Sequence, residues 1–283
     1  MDALSRARAM QLLGAFNDQM TRVIDGVFGT QWAEIEEMSA LVALASERSL
    51  TTRRLAEVSG LGRRAISRLV VRLRAEGVVT TRASGTDGRA VEVALTPDGE
   101  RLAEGLRTAI TAFLRHSAEI AAEISLGLGD PATTELPAIP ADALELLGRV
   151  CASGAALVGY MPAAAREGKR AARQRAALVA IAMQDGVRPS ALSAPLEVSP
   201  AGVAYIVDQL CAKGFVERRR GEVAGDARAV LLRVTDEGMR AVASVSAGIE
   251  SESARLTALF AEIAVWRPPA GAVPVGGDHT RAR

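Results

Sequence analysis

Residues 63–80, RRAISRLVVRLRAEGVVT, decide the fold. Their apolar residues recur at the i, i+3, i+4 and i+7 spacing that places side chains on one face of a helix. These residues are Ile66, Leu69, Val70 and Leu73. The pattern predicts a helix from about Arg63 to Ala75, and Gly77 supplies the left-handed position at which many helices end. The stretch is therefore an amphipathic helix that stops sharply before an apolar segment.

The segments around this helix complete one structural unit. In chain order we predict helices at Leu4–Phe28, Met38–Ser46 and Thr52–Val58, the helix above, strands at Val78–Arg82 and Ala90–Leu95, and a long helix from Thr96-Pro97 to about Ile124. The short turn Gly60-Leu61-Gly62 joins two of the helices, and a polar loop joins the strands. Two helices joined by a short turn and followed by a β-ribbon form a winged helix-turn-helix.

The same order of residues returns 137 positions later, since ALVALA at 40–45 recurs as ALVAIA at 177–182. Gly77 likewise recurs as Gly214. Beyond the first strand the offset grows to 139, so that Gly99 recurs as Gly238. The two extra residues fall in the hairpin loop, where a change of length is tolerated. Because the matches are co-linear over about 60 residues, we infer an internal duplication.

The duplication predicts a mainly α fold with small β-wings, built from two winged helix-turn-helix units with interlocking flanking helices. We expect a first unit at 1–126 with its winged helix at about 38–100, a linker at 127–140, a second unit at 141–266 with its winged helix at about 175–240, and a disordered tail at 267–283. A helix at about Asp142–Met161 precedes the second winged helix. In that repeat Ser199 is a good helix N-cap and Pro200 suits the first helical position.

Both repeats resemble the MarR family of bacterial regulators. The motifs that carry the resemblance are Leu55-Ala56, Glu76-Gly77-Val78-Val79, Asp87-Gly88-Arg89 and Leu95-Thr96-Pro97-Asp98-Gly99, then Lys213-Gly214-Phe215-Val216, Asp226-Ala227-Arg228 and Val234-Thr235-Asp236-Glu237-Gly238. Members of the family work as homodimers whose terminal helices interlock and whose recognition helices enter successive major grooves. The resemblance implies a covalently fused, pseudo-two-fold dimer that binds double-stranded DNA as a monomeric chain. In both wings the middle position of the family's Asp-Arg-Arg is a small residue.

The first recognition helix carries positive charge on the side opposite its apolar residues. Thr51–Ala90 contains nine arginines and only three acidic residues. Arginine contacts phosphates and pairs bidentately with guanine, so this surface suits a major groove. We predict DNA contacts from Arg53, Arg63, Arg64, Ser67, Arg68 and Arg72. The resemblance adds Arg89 at the wing tip, although its pairing with Asp87 is also explained as a hairpin salt bridge.

The second recognition helix is not equivalent to the first. Its outward positions are Ala201, Tyr205 and Asp208, and an acid there repels phosphate. The predicted DNA contacts of this repeat are Ser199, Tyr205, Gln209, Arg218, Arg219, Arg220 and Arg228. Two interpretations remain open at this point: this repeat reads a different half-site, or it is a scaffold that touches only the DNA backbone.

Many members of the family have a small-molecule pocket between the winged unit and the dimer helices. The resemblance therefore implies an effector, and candidate residues that line its site are Phe16, Trp32, Phe113 and Tyr160. Ordinary packing in the core is the alternative interpretation of each of these aromatic residues.

The sequence gives little support for catalysis, metal binding or membrane insertion. The two cysteines, Cys151 and Cys211, lack nearby partners for zinc, and none of the common catalytic motifs is present. We therefore expect no enzyme activity, no cofactor and no metal. Charged residues interrupt the most apolar stretch, Leu144–Pro162, and residues 1–9 lack the apolar run of a signal peptide. We expect a cytoplasmic protein.

The residues and the resemblance together predict a sequence-specific DNA-binding transcriptional regulator, a repressor that responds to a small molecule. The competing hypothesis is a duplicated winged-helix protein that binds another protein, or that binds DNA architecturally without recognising an operator.

Overall fold

The computed structural model of the protein describes seven stretches of the chain. They are residues 3–29, 35–83, 90–131, 141–166, 171–184, 186–221 and 229–268. Within them the chain is mainly helical, with two small antiparallel sheets. The predicted fold class, mainly α with small β-wings, is confirmed.

The first repeat contains six helices and three strands among the described residues. They are α1 (Ala3–Phe28), α2 (Ile35–Glu47), β1 (Ser49–Thr51), α3 (Thr52–Ser59), α4 (Arg63–Ala75), β2 (Val79–Ala83), β3 (Val91–Leu95), α5 (Pro97–His116) and α6 (Ala118–Leu128). The recognition helix α4 has the predicted bounds. The third strand, β1, is not predicted by the sequence, because three residues are too few to show a period of two.

The second repeat follows the same order of elements. They are α7 (Ala143–Gly159), α8 (Ala163–Arg166), α9 (Ala171–Ala182), a 3₁₀ turn (Pro189–Leu192), α10 (Pro200–Ala212), β4 (Val216–Arg220), β5 (Val230–Val234), α11 (Asp236–Ser251) and α12 (Ser253–Val265). Ser199 caps α10 as predicted, because its Oγ accepts the N–H of Gly202 at 3.2 Å.

Each recognition helix ends at a glycine in the left-handed conformation. Gly77 has φ 72° and Gly214 has φ 73°. After α4 the N–H of Val78 donates to the carbonyl of Leu73 at 2.9 Å, and that of Gly77 donates to Arg74 at 3.0 Å. These two bonds satisfy carbonyls that the helix leaves without a partner at its end. The chain therefore leaves both helices in one fixed direction, toward the wing.

The wing of the first repeat is the hairpin of β2 and β3, and β1 adds a third strand beside β3. Val79 lies opposite Leu95, and Ala83 lies opposite Val91. In the second repeat β4 pairs with β5, and the place of β1 is taken by a single bridge between Val187 and Leu232. Val93 and Leu232 are both fully buried at the centre of their winged units.

The predicted long helix from Thr96 to Ile124 is wrong in one respect, since it is two helices. Ser117, with φ −90° and ψ 4°, separates α5 from α6. Glu252, with φ −94° and ψ 6°, separates α11 from α12 in the same way. Neither interruption contains glycine or proline, so the sequence gives no local signal for it. In the first repeat both helices pack against α1. Helix α6 continues to Leu128, two residues into the predicted linker.

The helix-turn-helix of the second repeat begins with a 3₁₀ turn instead of an α-helix. Pro189 and Pro195 lie in this segment, whereas the corresponding α3 contains no proline. Proline has no N–H to donate and disfavours the α conformation of the residue before it. The two prolines therefore limit the helix to one short turn.

A threonine bridge ties each recognition helix to the long helix that follows its wing. Thr96 Oγ1 donates to the carbonyl of Gly77 at 2.6 Å and accepts the N–H of Gly99 at 3.1 Å. Thr235 makes the same two bonds, to Gly214 at 2.6 Å and from Gly238 at 3.1 Å. A Cβ at position 99 would lie well inside van der Waals contact with the carbonyl oxygen of Val78. The bridge therefore requires glycine three residues after the threonine.

The described chain divides into two compact units. One contains Glu37–Val150 together with α1 and the chain from Ala254 onward, and the other contains Cys151–Ser253. The first unit thus includes the last helix, α12, of the second repeat. Phe260 of α12 packs against Phe16 of α1 with ring centroids 5.0 Å apart. Flanking helices of the two repeats are therefore interlocked, as predicted.

Polar contacts join the second repeat to the first within this unit. Ser125 Oγ donates to the carbonyl of Thr257 at 2.9 Å. Both residues are buried, and Thr257 belongs to α12. The apolar contact of Phe260 and this hydrogen bond place α12 inside the core of the unit that carries the first winged helix.

We expect the substitution Gly99→Ala to destabilise the protein by at least about 1–3 kcal/mol, because the methyl group collides with the backbone at Val78. Gly105→Ala is the matched control, since position 105 in the same helix is open. There the gain in helix propensity should stabilise the protein by about 0.5–1 kcal/mol. Urea denaturation measures both values, and equal effects would contradict the close approach.

We expect Phe260→Ala to cost about 3–5 kcal/mol of unfolding free energy, as for other large aromatic residues removed from a core. Val265→Ala in the same helix is the control, because Val265 is 57% exposed. Thermal unfolding followed by circular dichroism measures the difference. A small effect of Phe260→Ala would show that α12 is not part of the core of the first unit.

Candidate nucleic-acid interface

The recognition helix α4 buries one side and exposes the other. Ile66, Leu69, Val70 and Leu73 lie in the core of the first winged unit. Arg64, Arg68 and Val71 lie opposite the buried side. Arg63, Ser67, Arg72 and Arg74 flank them, and all seven residues are exposed to solvent. Five of these seven residues are arginines, so the exposed side of α4 is a strongly positive surface.

Most of these arginines have no acidic partner among the described residues. Arg63, Arg64, Arg68 and Arg74 make no ion pair there. Arg72 differs, because its guanidinium lies 3.3 Å from Glu37 and 3.9 Å from Glu76. A guanidinium in water loses less hydration than an ammonium when it binds an anion, and it offers five donors. The surface is therefore free to bind phosphates or base edges.

Helix α3 adds further positive charge at its first turn. The helix is capped by Thr51, whose hydroxyl accepts the N–H of Arg54 at 3.1 Å. Arg53 is 88% exposed and lies 3.2 Å from Glu57 one turn later, while Arg54 lies 3.7 Å from the same carboxylate. One acid thus serves two arginines, and this turn keeps a net positive charge.

Arg82 on strand β2 is a candidate that sequence reasoning did not select. Its Nε and Nη2 donate to the two carboxylate oxygens of Glu92 on β3, at 2.9 and 3.1 Å. The hydroxyl of Ser49 on β1 donates to the same carboxylate. These hydrogen bonds, together with the charge of Arg82, lower the pKa of Glu92 to about 2. Cross-strand spacing is the signal that would have found the pair, since residues 82 and 92 are register partners.

The exposed side of α10 is nearly uncharged by comparison. Ala201, Ala204, Tyr205 and Asp208 are exposed, and Gln209 is partly exposed. The predicted contact Ser199 caps the helix, so its oxygen already accepts one hydrogen bond. Helix α10 itself contributes no lysine or arginine to this side.

The predicted arginine run on β4 is largely engaged with acids of its own unit. Arg218 lies 2.5 Å from Asp208 of α10. Arg219 lies 2.7 Å from Glu217. Arg220 makes no ion pair within the described residues. The repulsive Asp208 carboxylate is therefore already paired with a wing arginine, which the sequence did not predict. The wing-tip candidates Arg89 and Arg228 lie outside the described residues.

The model of the MarR family matches the chain twice, over residues 32–90 and 170–229. The chain carries two MarR-family domains in tandem. The predicted resemblance and the duplication are thus confirmed. Each match extends from the segment before the helix-turn-helix to the wing. The match in the first repeat therefore includes α4 and its positive surface. MarR-family proteins are DNA-binding transcriptional regulators. No curated protein matches the chain.

MarR-family regulators often bind small-molecule effectors, and three of the four aromatic candidates lie within the described residues. Phe16 and Phe113 are buried with their ring centroids 4.9 Å apart, as core residues. Tyr160 is 40% exposed, packs over Gly248 and donates to Glu252 at 3.5 Å in the other unit. Trp32 lies outside the described residues. The structure therefore favours core packing for Phe16 and Phe113.

A small apolar pocket lies beside the first recognition helix. Phe28, Leu41, Leu44, Ala45, Leu73, Val78, Leu95, Gly99 and Ala103 line it. It lies between the winged helix and helices α1 and α5, and its enclosed space is about that of one water molecule.

Other kinds of site are not found in the described part of the chain. No three side chains of His, Cys, Asp or Glu lie close enough there to hold a metal ion. None of the described helices combines the length and apolar character that crossing a bilayer needs. Burial raises the pKa of the Cys151 thiol to about 12, so this cysteine is not a thiolate near neutral pH.

We expect Glu92→Gln to weaken the fold in a manner that depends on pH. The folded-state pKa of Glu92 is lowered from 4.5 to about 2, so its stabilising effect is present above pH 4.5 and is lost as the pH falls toward 2. The urea midpoints of wild type and variant should therefore differ most at about pH 7, and the difference should be clearly smaller at about pH 3. An equal difference at both pH values would contradict the Arg82–Glu92 contact.

Proposed function

We propose that this MarR-family chain is a cytoplasmic, sequence-specific transcriptional repressor that binds duplex DNA with α4 in a major groove. The row of exposed arginines on α4 is the observation that carries the proposal. Arg63, Arg64, Arg68 and Arg74 have no acidic partner among the described residues. Phosphates attract such a surface from a distance, and this electrostatic term dominates the affinity of most DNA-binding proteins.

The middle of the same surface suits direct contact with bases. Arg64 and Arg68 lie one helical turn apart on the exposed side, and arginine pairs bidentately with O6 and N7 of guanine. Val71 continues this side and is 64% exposed. An apolar side chain at that place can contact the methyl group of thymine. The combination provides both donors and an apolar contact for sequence recognition.

The arginines at the edge of the surface suit the DNA backbone. Arg53, Arg72 and Arg82 each contact a carboxylate of their own unit, which limits the directions in which they point. Contacts to phosphates position a protein on the duplex without carrying sequence information. We assign these three residues to positioning and Arg64 and Arg68 to base recognition.

Repression follows from occupancy, because a protein that covers promoter DNA excludes other proteins from it. The small pocket beside α4 offers a route to regulation by an effector. Leu73 of α4 and Gly99 of α5 both line it, so a ligand that widened the pocket would change the position of the recognition helix. The competing hypothesis is a duplicated winged-helix protein that binds DNA without sequence preference, or that binds another protein.

We expect Arg64→Ala combined with Arg68→Ala to weaken specific DNA binding by about 1–3 kcal/mol for each arginine. Arg101→Ala is the matched control, since Arg101 is also exposed but lies on α5 and pairs with Asp98. Fluorescence anisotropy with the chain's own upstream DNA, at several salt concentrations, measures the effect. A specific regulator prefers this DNA over random duplexes by about 10³-fold or more. Equal affinity for both DNAs would contradict sequence-specific regulation and would favour the competing hypothesis.

A further inference from the structure

None of the five arginines of α4 has a cationic counterpart on α10. At the repeat offset of 137, Arg63, Arg64, Arg68, Arg72 and Arg74 correspond to Pro200, Ala201, Tyr205, Gln209 and Cys211. The two helices have equal length and bury equivalent apolar residues. The buried side of the recognition helix is thus preserved in α10, whereas all five of the positive charges of α4 are missing there.

In the second repeat an arginine of the wing forms an ion pair with an acidic residue of the recognition helix α10. Asp208 takes the place of Val71, and Arg218 takes the place of Thr81. The guanidinium of Arg218 lies 2.5 Å from the Asp208 carboxylate, and Arg219 lies 2.7 Å from Glu217. Arg82 of the first repeat is also paired, but its partner Glu92 lies on the wing strand β3 and not on the recognition helix. A phosphate at α10 would lie beside the Asp208 carboxylate and would compete with it for Arg218.

The first part of the helix-turn-helix carries less positive charge in the second repeat than in the first. Arg53 and Arg54 at the first turn of α3 correspond to Ser190 and Ala191 in the 3₁₀ turn. That turn is four residues long and contains a proline. The second repeat therefore lacks counterparts of Arg53 and Arg54, and Arg188 is the cation at the start of its turn.

The second repeat has a structural task in the first unit. Its last helix, α12, inserts Phe260 beside Phe16 of α1. The carbonyl of Thr257 in the same helix accepts a hydrogen bond from Ser125 Oγ of α6 at 2.9 Å. Loss of α12 would expose the core of the unit that carries α4. These contacts give a reason to retain the second repeat that does not involve DNA.

We infer that the second MarR-family domain is a structural subunit within the chain, and that each chain reads a single DNA half-site through α4. The inference rests on the proposed function and specifies its ligand: a duplex with one half-site for each bound chain. It resolves the choice that the sequence left open between a second reader and a scaffold.

The test uses the full chain and the duplex that the wild-type protein selects from a random-sequence library. Static light scattering gives the number of chains on the duplex, and hydroxyl-radical footprinting gives the number of half-sites. Three variants are compared on the same duplex: Arg64→Ala with Arg68→Ala, Tyr205→Ala with Gln209→Ala, and Asp208→Asn. The last is close to isosteric, and all the substituted side chains are at the surface or partly exposed.

We expect one half-site for each chain. The two α10 variants should bind within about twofold of wild type with an unchanged footprint, and the α4 variant should lose about 30-fold or more. Two half-sites for each chain would overturn the inference. A tenfold loss or an altered footprint with Tyr205→Ala and Gln209→Ala would also overturn it. So would a severalfold gain with Asp208→Asn, because removal of a carboxylate favours binding only where phosphate lies near it.

The outcomes separate this inference from the proposed function. An effect of the α10 variants alongside a loss in the α4 variant overturns the inference alone. An α4 variant that binds as tightly as wild type overturns the proposed function, and the inference then falls with it.

Discussion

The arrangement of each winged unit depends on the threonine bridge. One hydroxyl group joins the glycine that ends the recognition helix to the first turn of the next long helix, through Thr96 in the first repeat and Thr235 in the second. The bond is possible only because Gly99 and Gly238 let that turn approach the backbone closely. The direction of the recognition helix is thereby fixed relative to the helices that flank it, which is why the glycines and threonines recur.

The threonine bridge and the core consist of backbone contacts and buried residues. This arrangement therefore does not depend on which side chains occupy the exposed positions of the recognition helix. Arg68 and Tyr205 occupy equivalent places on α4 and α10, and apolar residues are buried at equivalent positions beneath both. Electrostatics then separates the two surfaces. The first has arginines without acidic partners in the described chain, whereas the second has an acid and the wing arginine that pairs with it. A duplicated fold thus carries two unlike surfaces.

The flanking helices make the two repeats interdependent. Helix α12 belongs to the second repeat by sequence and to the first compact unit by its contacts. Its aromatic residue Phe260 is 1% exposed and meets Phe16. Burial of one aromatic side chain of this kind contributes on the order of 2–3 kcal/mol. A repeat whose recognition surface changes can therefore still be required for the stability of the other.

The sequence by itself determined the duplication, the bounds of α4, the cap at Ser199, the glycine that ends each recognition helix and the exposed side of α4, because all of these follow from local periodicity and capping. The interruption at Ser117, the position of α12 and the Asp208–Arg218 pair were decided by tertiary structure. The bond from Ser125 to Thr257 spans 132 residues, and a contact of that separation leaves no pattern in either segment. Chain-distant packing and ion pairing depend on which surfaces meet, and only the folded molecule brings them together.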